Sequence, residues 1–451
     1  MTSSRRNFLQ KAAMGGAAGM FTLIPAEIVA QRRKRNTPPA SDRIRFGVIG
    51  CNGMGWTNMR IHLQIDEVDC VALCDVDQSV LNRRAPDAER LQGKKPALYK
   101  DYRKLLEDDS IDAVIIATPD HWHCKIMVDA VEAGKNVYVE KPLANSIQEC
   151  NIMVKAVERT GKIVQVGQWQ RSARHYKSAK EYVHSGKLGQ IRLVKVWAYQ
   201  AWMKPIDPKP DGDPPPGVDY DMWLGPAPKR PFNPNRFHFD YRWFWDYSGG
   251  MMVDWGVHEI DIALQIMGAT APKSITASGG KLAYPDDASE TPDTLQAVFE
   301  YENFNMLWEH ATGIDVGNFG TTEGIAFIGN NGTLALSRQG WKLLPEKEMK
   351  DGISQFKMES LPKQAAGGFS EYVEDHARNF IDAIKANDSS KLAADVVAGS
   401  VAASNGHMGN IAYKTGRKVY WDVEKGNFGD DKESNALMST RYHNGWKLPK
   451  E

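Results

Sequence analysis

The chain has 451 residues, of which 42% are hydrophobic, and this length allows two or three domains with a sizeable core. Lysine plus arginine and aspartate plus glutamate both number 56, so the formal net charge is zero, which argues against a nucleic-acid binder that works by phosphate neutralisation. The five cysteines are odd in number and form no C-x-x-C pair, which predicts buried thiols and neither a disulfide framework nor a zinc site.

The N-terminal segment carries the features of an export signal. Arg5-Arg6 precedes Phe8-Leu9, and a weakly apolar stretch rich in alanine and glycine follows at residues 12–30. This pattern resembles a twin-arginine signal, so we expect a signal at residues 1–30, a basic linker at residues 31–42 and a periplasmic location. The stretch is too weakly apolar for a stable membrane span.

A glycine-rich loop follows the first predicted strand, Ile44–Ile49, and precedes a predicted helix. A strand, a tight glycine turn and a helix N-terminus together form a cradle for a pyrophosphate. The spacing G-x-x-G-x-G is a variant of the usual motif, and an ordinary loop is the alternative. The candidate binding residues of this loop are Gly50, Asn52, Gly53, Met54 and Gly55.

A second predicted strand, at residues 68–73, leads to Asp75, which lies 25 positions after Gly50. An acidic residue at about this distance binds the ribose of a dinucleotide. No arginine or lysine occurs at residues 76–79, so NAD is favoured over NADP. The alternative is that Asp75 only caps the following helix.

Further strands at residues 111–117, 136–139 and 162–166 alternate with helices and predict a parallel, doubly wound sheet for residues 43–166. Polar residues follow the ends of these strands, where open α/β sheets bind ligands. We expect these residues to line the cofactor site: Thr118, Pro119, His121, His123, Glu140, Lys141 and Gln168. A metal held by the two histidines is the alternative, but no third ligand at suitable spacing is nearby, so we expect none.

The pattern changes after residue 166, and we expect an α+β domain at residues 167–425 and a tail at residues 426–451. Strand candidates lie at residues 190–200, 274–278, 294–301, 305–310, 324–328 and 333–337. Gly329-Asn330-Asn331-Gly332 is a hairpin signal, so the sheet is expected to be antiparallel. Residues 345–368 are predicted to form a long loop, and residues 369–385 and 392–404 helices.

A second chemical motif lies at residues 254–261, D-x-G-x-H-x-x-D. As a helix it places Asp254, His258 and Asp261 on one polar stripe beside an apolar face. The alternative is a helix cap and a hydrogen-bonded core histidine.

Together the glycine loop, Asp75, the Thr118-Pro119 loop, Glu140-Lys141-Pro142 and the D-x-G-x-H-x-x-D motif resemble the Gfo/Idh/MocA oxidoreductase family. The resemblance covers most of the chain from residue 43. It implies a Rossmann domain followed by a large open antiparallel sheet that often forms a dimer or tetramer interface. It also implies that Lys141, Asp254 and His258 are the catalytic set.

The residue types suit the oxidation of a secondary alcohol. We expect His258 to act as the general acid/base, Asp254 to orient it, and Lys141 to stabilise the alkoxide. Which of Lys141 and His258 moves the proton stays open.

The expected substrate is a sugar or glycoside, oxidised at a secondary ring hydroxyl to a ketosugar, with C3 as the first guess. Residues 232–255 are dense in aromatic residues, which stack on pyranose rings, although core packing is the alternative for each ring. The candidate substrate residues are Arg171, Trp243, Trp245, Asp254 and His258. An exported enzyme needs a second substrate to reoxidise its bound cofactor.

Two other functions stay open. Some exported proteins of this kind resemble NAD-dependent α-N-acetylgalactosaminidases, in which the lysine of Glu-Lys-Pro is replaced. Because this chain keeps Lys141, net oxidation or reduction is favoured. The third alternative is a non-catalytic NAD-binding sensor, against which the intact Lys-Asp-His set argues.

Overall fold

The computed structural model describes residue 39 and residues 42–451. The expected export signal and most of the expected linker lie outside these residues. Within the described part of the chain, no helix is both long enough and apolar enough to cross a membrane.

The first domain contains a six-stranded parallel sheet with the strand order β3-β2-β1-β4-β5-β6. The inner strands are buried on both faces, as expected for a sheet covered by helices on both sides. The strands are β1 (Ile44–Ile49), β2 (Val68–Cys74), β3 (Ala97–Tyr99), β4 (Ala113–Ile116), β5 (Asn136–Val139) and β6 (Val164–Val166). The strand order reverses between β1 and β4, which is where such sheets bind ligands. The predicted parallel, doubly wound domain is confirmed.

The helices of this domain begin and end at residues with local signals. Ser146 Oγ accepts a hydrogen bond from Glu149 N at the start of one helix, and the left-handed Gly161 ends it. The helices are α1 (Gly53–His62), α2 (Gln78–Gln92), α3 (Tyr102–Leu106), α4 (His123–Glu132) and α5 (Ile147–Thr160). Strand β3 is absent from the sequence prediction, and α2 enters it only as the helix that follows Asp75, without bounds. Asp77 caps α2 by accepting a hydrogen bond from Ser79 N.

The second domain contains a nine-stranded sheet with the order β16-β13-β12-β11-β7-β10-β9-β8-β17. Its strands are β7 (Ile191–Gln200), β8 (Ser274–Gly280), β9 (Thr294–Glu300), β10 (Asn305–Thr312), β11 (Glu323–Gly329), β12 (Gly332–Ser337), β13 (Gly340–Pro345), β16 (Gln364–Ala365) and β17 (Val419–Tyr420). Strands β7 and β10 are parallel, so the expected antiparallel sheet is in fact mixed. After β7 the chain crosses over through helices and begins an antiparallel meander of β8, β9 and β10. The third strand of this meander, β10, pairs with β7 and runs in the same direction as β7.

Part of the predicted long loop at residues 345–368 is a two-stranded ribbon, β14 (Lys347–Lys350) with β15 (Ile353–Phe356). Asp351 and Gly352 both have positive φ, +52° and +78°, so they form the Asp-Gly type of hairpin turn. The sequence interpretation missed this turn because both strands are exposed and lack an apolar face.

The second-domain helices include two short ones that precede β8 and two long ones near the C-terminus. They are α6 (Arg174–His184), α7 (Tyr220–Leu224), α8 (Gly250–Asp254), α9 (Gly256–Met267), α10 (Phe369–Ala386), α11 (Val396–Thr415) and α12 (Lys432–Leu437). Short 3-10 helices lie at Asp120–Trp122, Trp169–Ser172, Pro234–Arg236, His238–Trp243, Asn318–Gly320 and Ser389–Lys391.

The chain returns to the first domain after the second sheet. Val166 N donates to Ala394 O at 2.9 Å, and Gln165 Nε2 donates to His376 O at 2.7 Å. Helix α11, which follows these contacts in the chain, also packs on α8 and α9. It therefore positions α9 beside the carboxyl ends of the first sheet.

Candidate active site

The glycine loop lies between the end of β1 and the start of α1, against the end of β4. A Cβ on Gly50, whose φ is +84°, would lie 2.6 Å from Ala117 O, and a Cβ on Gly55 would lie 1.8 Å from Gly50 O. Both positions therefore require glycine. Asn52 is the N-cap of α1 but its side chain makes no cap hydrogen bond, so the first amides of this ten-residue helix are available to an anion.

The Asp75 carboxylate lies where β2 ends, next to the glycine loop. Its Oδ2 accepts from Cys51 N at 2.8 Å and its Oδ1 from Asp77 N at 3.0 Å, and each oxygen can accept one more hydrogen bond. Burial raises the pKa of this carboxyl, although both amides oppose the shift. Because Asp77 caps α2, the helix-capping alternative for Asp75 is wrong.

These residues fit a dinucleotide. The amides and glycines of the loop would hold the pyrophosphate, and Asp75 would hold the ribose. The structure adds Arg84, which the sequence interpretation missed because its partners in the glycine loop and α1 are distant in sequence. Its guanidinium lies 4.5 Å from the Trp56 ring centroid and within 3.5 Å of Asn52 Oδ1, beside the loop.

The ribose end of this groove is covered by part of the proline-rich excursion that follows β7. Two backbone hydrogen bonds join the segments, from Gln78 N to Gly217 O at 3.1 Å and from Asp219 N to Val76 O at 2.9 Å. The excursion thus bridges the second domain to the residues just after Asp75.

Thr118 and Pro119 are half-buried and follow the end of β4, as predicted, whereas His121 and His123 are buried beneath them. His121 Nε2 lies 3.1 Å from Trp223 O. The His123 ring nitrogens lie 2.9 Å from Thr118 O and 2.7 Å from the carbonyl of Pro142. Burial lowers the pKa of both histidines. They hold two site loops together from behind, which corrects their expected contact with the cofactor.

Glu140 and Gln168 are also buried, at 4% and 2% exposure. Glu140 Oε1 accepts from Asn58 Nδ2 at 2.7 Å, which ties the end of β5 to α1. Burial raises the pKa of Glu140. Gln168 Oε1 is a buried oxygen without a hydrogen-bond partner in the described part of the chain. Glu140 therefore supports the cofactor groove from inside and does not face it.

Lys141, Asp254 and a third residue, Arg242, form a buried ionic cluster where the two domains meet. Lys141 Nζ lies 2.7 Å from Asp254 Oδ1 and 3.0 Å from Asp254 O, and Arg242 Nε lies 3.3 Å from the same Oδ1. Burial opposes ionisation of Asp254, but the two cations outweigh it and lower its pKa. Two positive charges share one carboxylate, so the cluster keeps a net positive charge.

His258 lies next to this cluster but is not bonded to Asp254. The expected single helix breaks at Trp255, so Asp254 ends α8 while His258 belongs to α9. The imidazole packs against the rings of Trp169 and Trp255, with centroids at 5.2 and 6.2 Å, and its Nδ1 has no partner among the described residues. The orienting role predicted for Asp254 is thus corrected, since that carboxylate holds Lys141.

The pKa of His258 lies well below its ordinary value because of burial first, and then because of the positive charges of Lys141 and Arg338. The imidazole is therefore neutral at physiological pH and able to accept a proton. A protonated His258 would add a third positive charge to the site.

Arg171 is held by an acidic partner on α9. It makes a bidentate ion pair with Asp261, with Nε–Oδ2 at 2.8 Å and Nη2–Oδ1 at 2.6 Å, and Asp261 is 2% exposed. The pair joins the segment after β6 to α9. The contact of Arg171 with substrate stays a prediction, because an ion-paired guanidinium keeps further N–H donors.

The aromatic run at residues 232–255 divides into core and cavity residues. Trp243 is 5% exposed and lines a cavity of about 460 Å³. Trp245 packs elsewhere, with its Nε1 donating to Glu290 O at 3.0 Å and the Lys414 ammonium 3.8 Å from its ring. Most other rings of the run are buried, so core packing holds for them: Phe232, Phe237, Tyr241, Phe244 and Tyr247. The run also carries Arg242, a site residue that an interpretation centred on aromatic rings overlooked.

Replacing Asp75 by alanine should weaken NAD binding and reduce discrimination against NADP. The carboxylate repels a 2'-phosphate and accepts from ribose hydroxyls, so both effects share one cause. Titration of apo-protein with each cofactor measures them, and Asp388→Ala, a cap of the 3-10 turn Ser389–Lys391 in the second domain, serves as the control. Equal affinity of the unmutated protein for NAD and NADP would contradict the role of Asp75.

Two family models of Gfo/Idh/MocA oxidoreductases match the chain. The model described as "Oxidoreductase family, NAD-binding Rossmann fold" matches residues 44–168, and that described as "Oxidoreductase family, C-terminal alpha/beta domain" matches residues 175–291.

Among curated proteins, a glycosyl hydrolase family 109 protein of Shewanella baltica (strain OS155) is 32% identical over 223 residues, which are 46% of this chain and 48% of that protein. The alpha-N-acetylgalactosaminidase of Shewanella oneidensis is 36% identical over 128 residues, 28% of either chain. The chain thus spans about half the length, or less, of these relatives.

Among solved structures, levoglucosan dehydrogenase in complex with NADH and levoglucosan superposes with a TM-score of 0.62 at 19% identity, covering 84% of this chain and 99% of that chain. At this level of identity the similarity establishes the fold.

Proposed function

Because the chain belongs to the Gfo/Idh/MocA oxidoreductase family and has its NAD-binding domain, we propose that it oxidises a secondary ring hydroxyl of a sugar or glycoside to a ketosugar, with C3 as the first candidate. The observation that carries this proposal is the arrangement of Lys141, Asp254 and the neutral His258 beside the cofactor groove. These groups can take a proton from a hydroxyl and stabilise the oxygen that loses it.

NAD, when bound, takes up the hydride from the substrate carbon. His258 accepts the hydroxyl proton, because burial and the neighbouring cations keep its imidazole neutral. Lys141 is held by Asp254 and provides the positive charge beside the developing alkoxide. Arg242 shares Asp254, so the carboxylate does not cancel the charge of Lys141. The aromatic rings around His258 exclude water from this end of the site.

The excursion over the ribose end of the groove supports a tightly held cofactor. The backbone hydrogen bonds between residues 76–78 and 217–219 hold the excursion next to the strand end that carries Asp75, where it would slow the release of NAD. A retained cofactor suits an enzyme that is reoxidised by a second substrate.

A glycosidase is the second candidate, because curated relatives in the family 109 group are similar to this chain. Such an enzyme would oxidise the sugar transiently and return the hydride after the glycosidic bond has broken. Lys141 favours net oxidation, since the resemblance to that subfamily implies a different residue at this position.

One assay separates these functions. The protein as purified is incubated with a panel of mono- and disaccharides and with p-nitrophenyl α-N-acetylgalactosaminide, while NADH absorbance and nitrophenol release are followed together. We expect NADH up to one equivalent per bound cofactor, without cleavage, and a keto group whose position NMR identifies. Cleavage without net NADH would establish the glycosidase, whereas saturable NAD binding with neither signal would favour the sensor.

A further inference from the structure

The cavity of about 460 Å³ is lined only by residues of the second domain among those that the structure describes. The glycine loop, Lys141, Asp254 and His258 are not among its lining residues. Three connecting segments enclose it, at residues 202–209, 234–243 and 284–293. Its volume is in the range of small-molecule sites. Core packing alone does not account for it, because several rings that line it keep an accessible face.

The cavity shares two walls with the catalytic cluster. Met251, which lines it, lies in α8 one helical turn before Asp254. Phe239, at its rim, lies 4.7 Å from the guanidinium of Arg242, which in turn bonds the Asp254 carboxylate. The cavity therefore neighbours the catalytic cluster through α8 and through the segment that carries Phe239 and Arg242.

The lining chemistry matches a sugar ring. Trp202 and Phe239 form a corner, with centroids 5.8 Å apart and an interplanar angle of 66°, and Phe239 is 46% exposed. Trp243 lines the cavity as a third, largely buried ring. Flat apolar faces of this kind stack on the C–H faces of pyranoses.

Asp240 provides the polar partner. Its carboxylate makes no hydrogen bond or ion pair to any described residue, yet the residue is half-buried and lines the cavity. The positive charges of Arg242 and Lys209 act on this carboxylate, but its oxygens keep their capacity to accept hydrogen bonds from ligand hydroxyls. The lining carries four aspartates, Asp207, Asp240, Asp287 and Asp293, and two lysines, Lys204 and Lys209. Because the acidic groups outnumber the basic ones, an uncharged sugar suits the cavity better than an acidic one.

We propose that this cavity is a subsite for a second, uncharged sugar unit, so that the preferred substrate is a disaccharide or longer glycoside and not a free monosaccharide. The inference rests on the proposed function, since it places the oxidised ring at Lys141 and His258 and the neighbouring ring between Trp202 and Phe239. The second ring contributes binding energy without taking part in the chemistry.

The test compares one-ring and two-ring substrates in matched variants of the full-length protein with its cofactor. Methyl α- and β-glucopyranoside and methyl β-galactopyranoside are paired with maltose, cellobiose and lactose. Trp202→Ala and Asp240→Asn should each lower kcat/KM for the accepted disaccharide about tenfold, because each variant loses one stacking or hydrogen-bond contact. The kcat/KM for the methyl glycoside should change less than about twofold. Tyr420→Ala is the control, because this 64% exposed ring lies on the edge strand β17.

Calorimetric titration of the same disaccharides tests the subsite without turnover. Weaker disaccharide binding in Trp202→Ala than in Tyr420→Ala supports the subsite, whether or not NADH forms. If the disaccharide binds in this way but no NADH forms, the proposed oxidation is wrong and the subsite stands. NADH formation at equal kcat/KM from one-ring and two-ring substrates, unchanged by both cavity variants, would overturn the subsite and leave the oxidation standing. No disaccharide binding would also overturn it.

Discussion

Replacing Lys141 by alanine is expected to lower kcat for sugar oxidation by about 10²–10⁴-fold while NAD stays bound, because the variant loses the charge beside the alkoxide and leaves the glycine loop intact. A second effect should accompany the loss. Lys141 contributes to the low pKa of His258, so that pKa should rise in the variant. His258 is active when neutral, so activity falls as the pH drops through its pKa, and the acid limb of the residual rate should move to higher pH.

The matched control is Lys155→Ala, an exposed lysine whose Nζ lies 2.6 Å from Glu451 Oε2, far from the ionic cluster. Its kcat and pH profile should equal those of the unmutated protein. Stopped-flow NADH absorbance with the accepted sugar measures the hydride step directly. An unaltered rate in Lys141→Ala would remove this residue from the chemistry and leave His258 to act alone.

Replacing Gly55 by alanine is expected to raise the Kd for NAD by about 100-fold or more, since an added Cβ would lie 1.8 Å from Gly50 O and displace the loop by about 1 Å, a shift large enough for such losses. The backbone amides at the start of α1 would then point away from the pyrophosphate. Calorimetric titration with NAD of the apo-protein measures the change.

Gly212→Ala provides the control, because a Cβ there meets nothing within 4 Å and its backbone has an ordinary φ. Circular dichroism of both variants should show the same helix content, which separates loss of the cradle from unfolding. If Gly55→Ala bound NAD as tightly as Gly212→Ala, the glycine loop would not be the pyrophosphate site.

The sequence determined the first domain almost completely. Its signals are local: the apolar run Ile44–Ile49 followed by glycines, the capping box at Ser146, and Gly161 as a helix stop. Each such signal acts through neighbours a few residues apart, so the chain pattern alone predicts it. Lys141, Asp254 and His258 were recognisable as a set only through the family resemblance, because Lys141 is 113 positions away from Asp254 in the chain.

Tertiary structure decided which charges meet. Asp254 pairs with Lys141 and Arg242 and leaves His258 without a carboxylate, while Arg171 is held by Asp261. These partners come from separate segments, and a buried charge pairs with whichever opposite charge the packing brings within reach.

Strand direction in the second sheet was decided at the same level. The sequence shows the strands and one hairpin, but only the crossover through α8 and α9 places β10 parallel to β7. Whether an aromatic ring packs in the core, as Tyr247 does, or borders a cavity, as Phe239 does, depends on the segments that cover it. Periodicity along one segment carries no information about those distant neighbours, so the three-dimensional packing alone decides the shape of the substrate site.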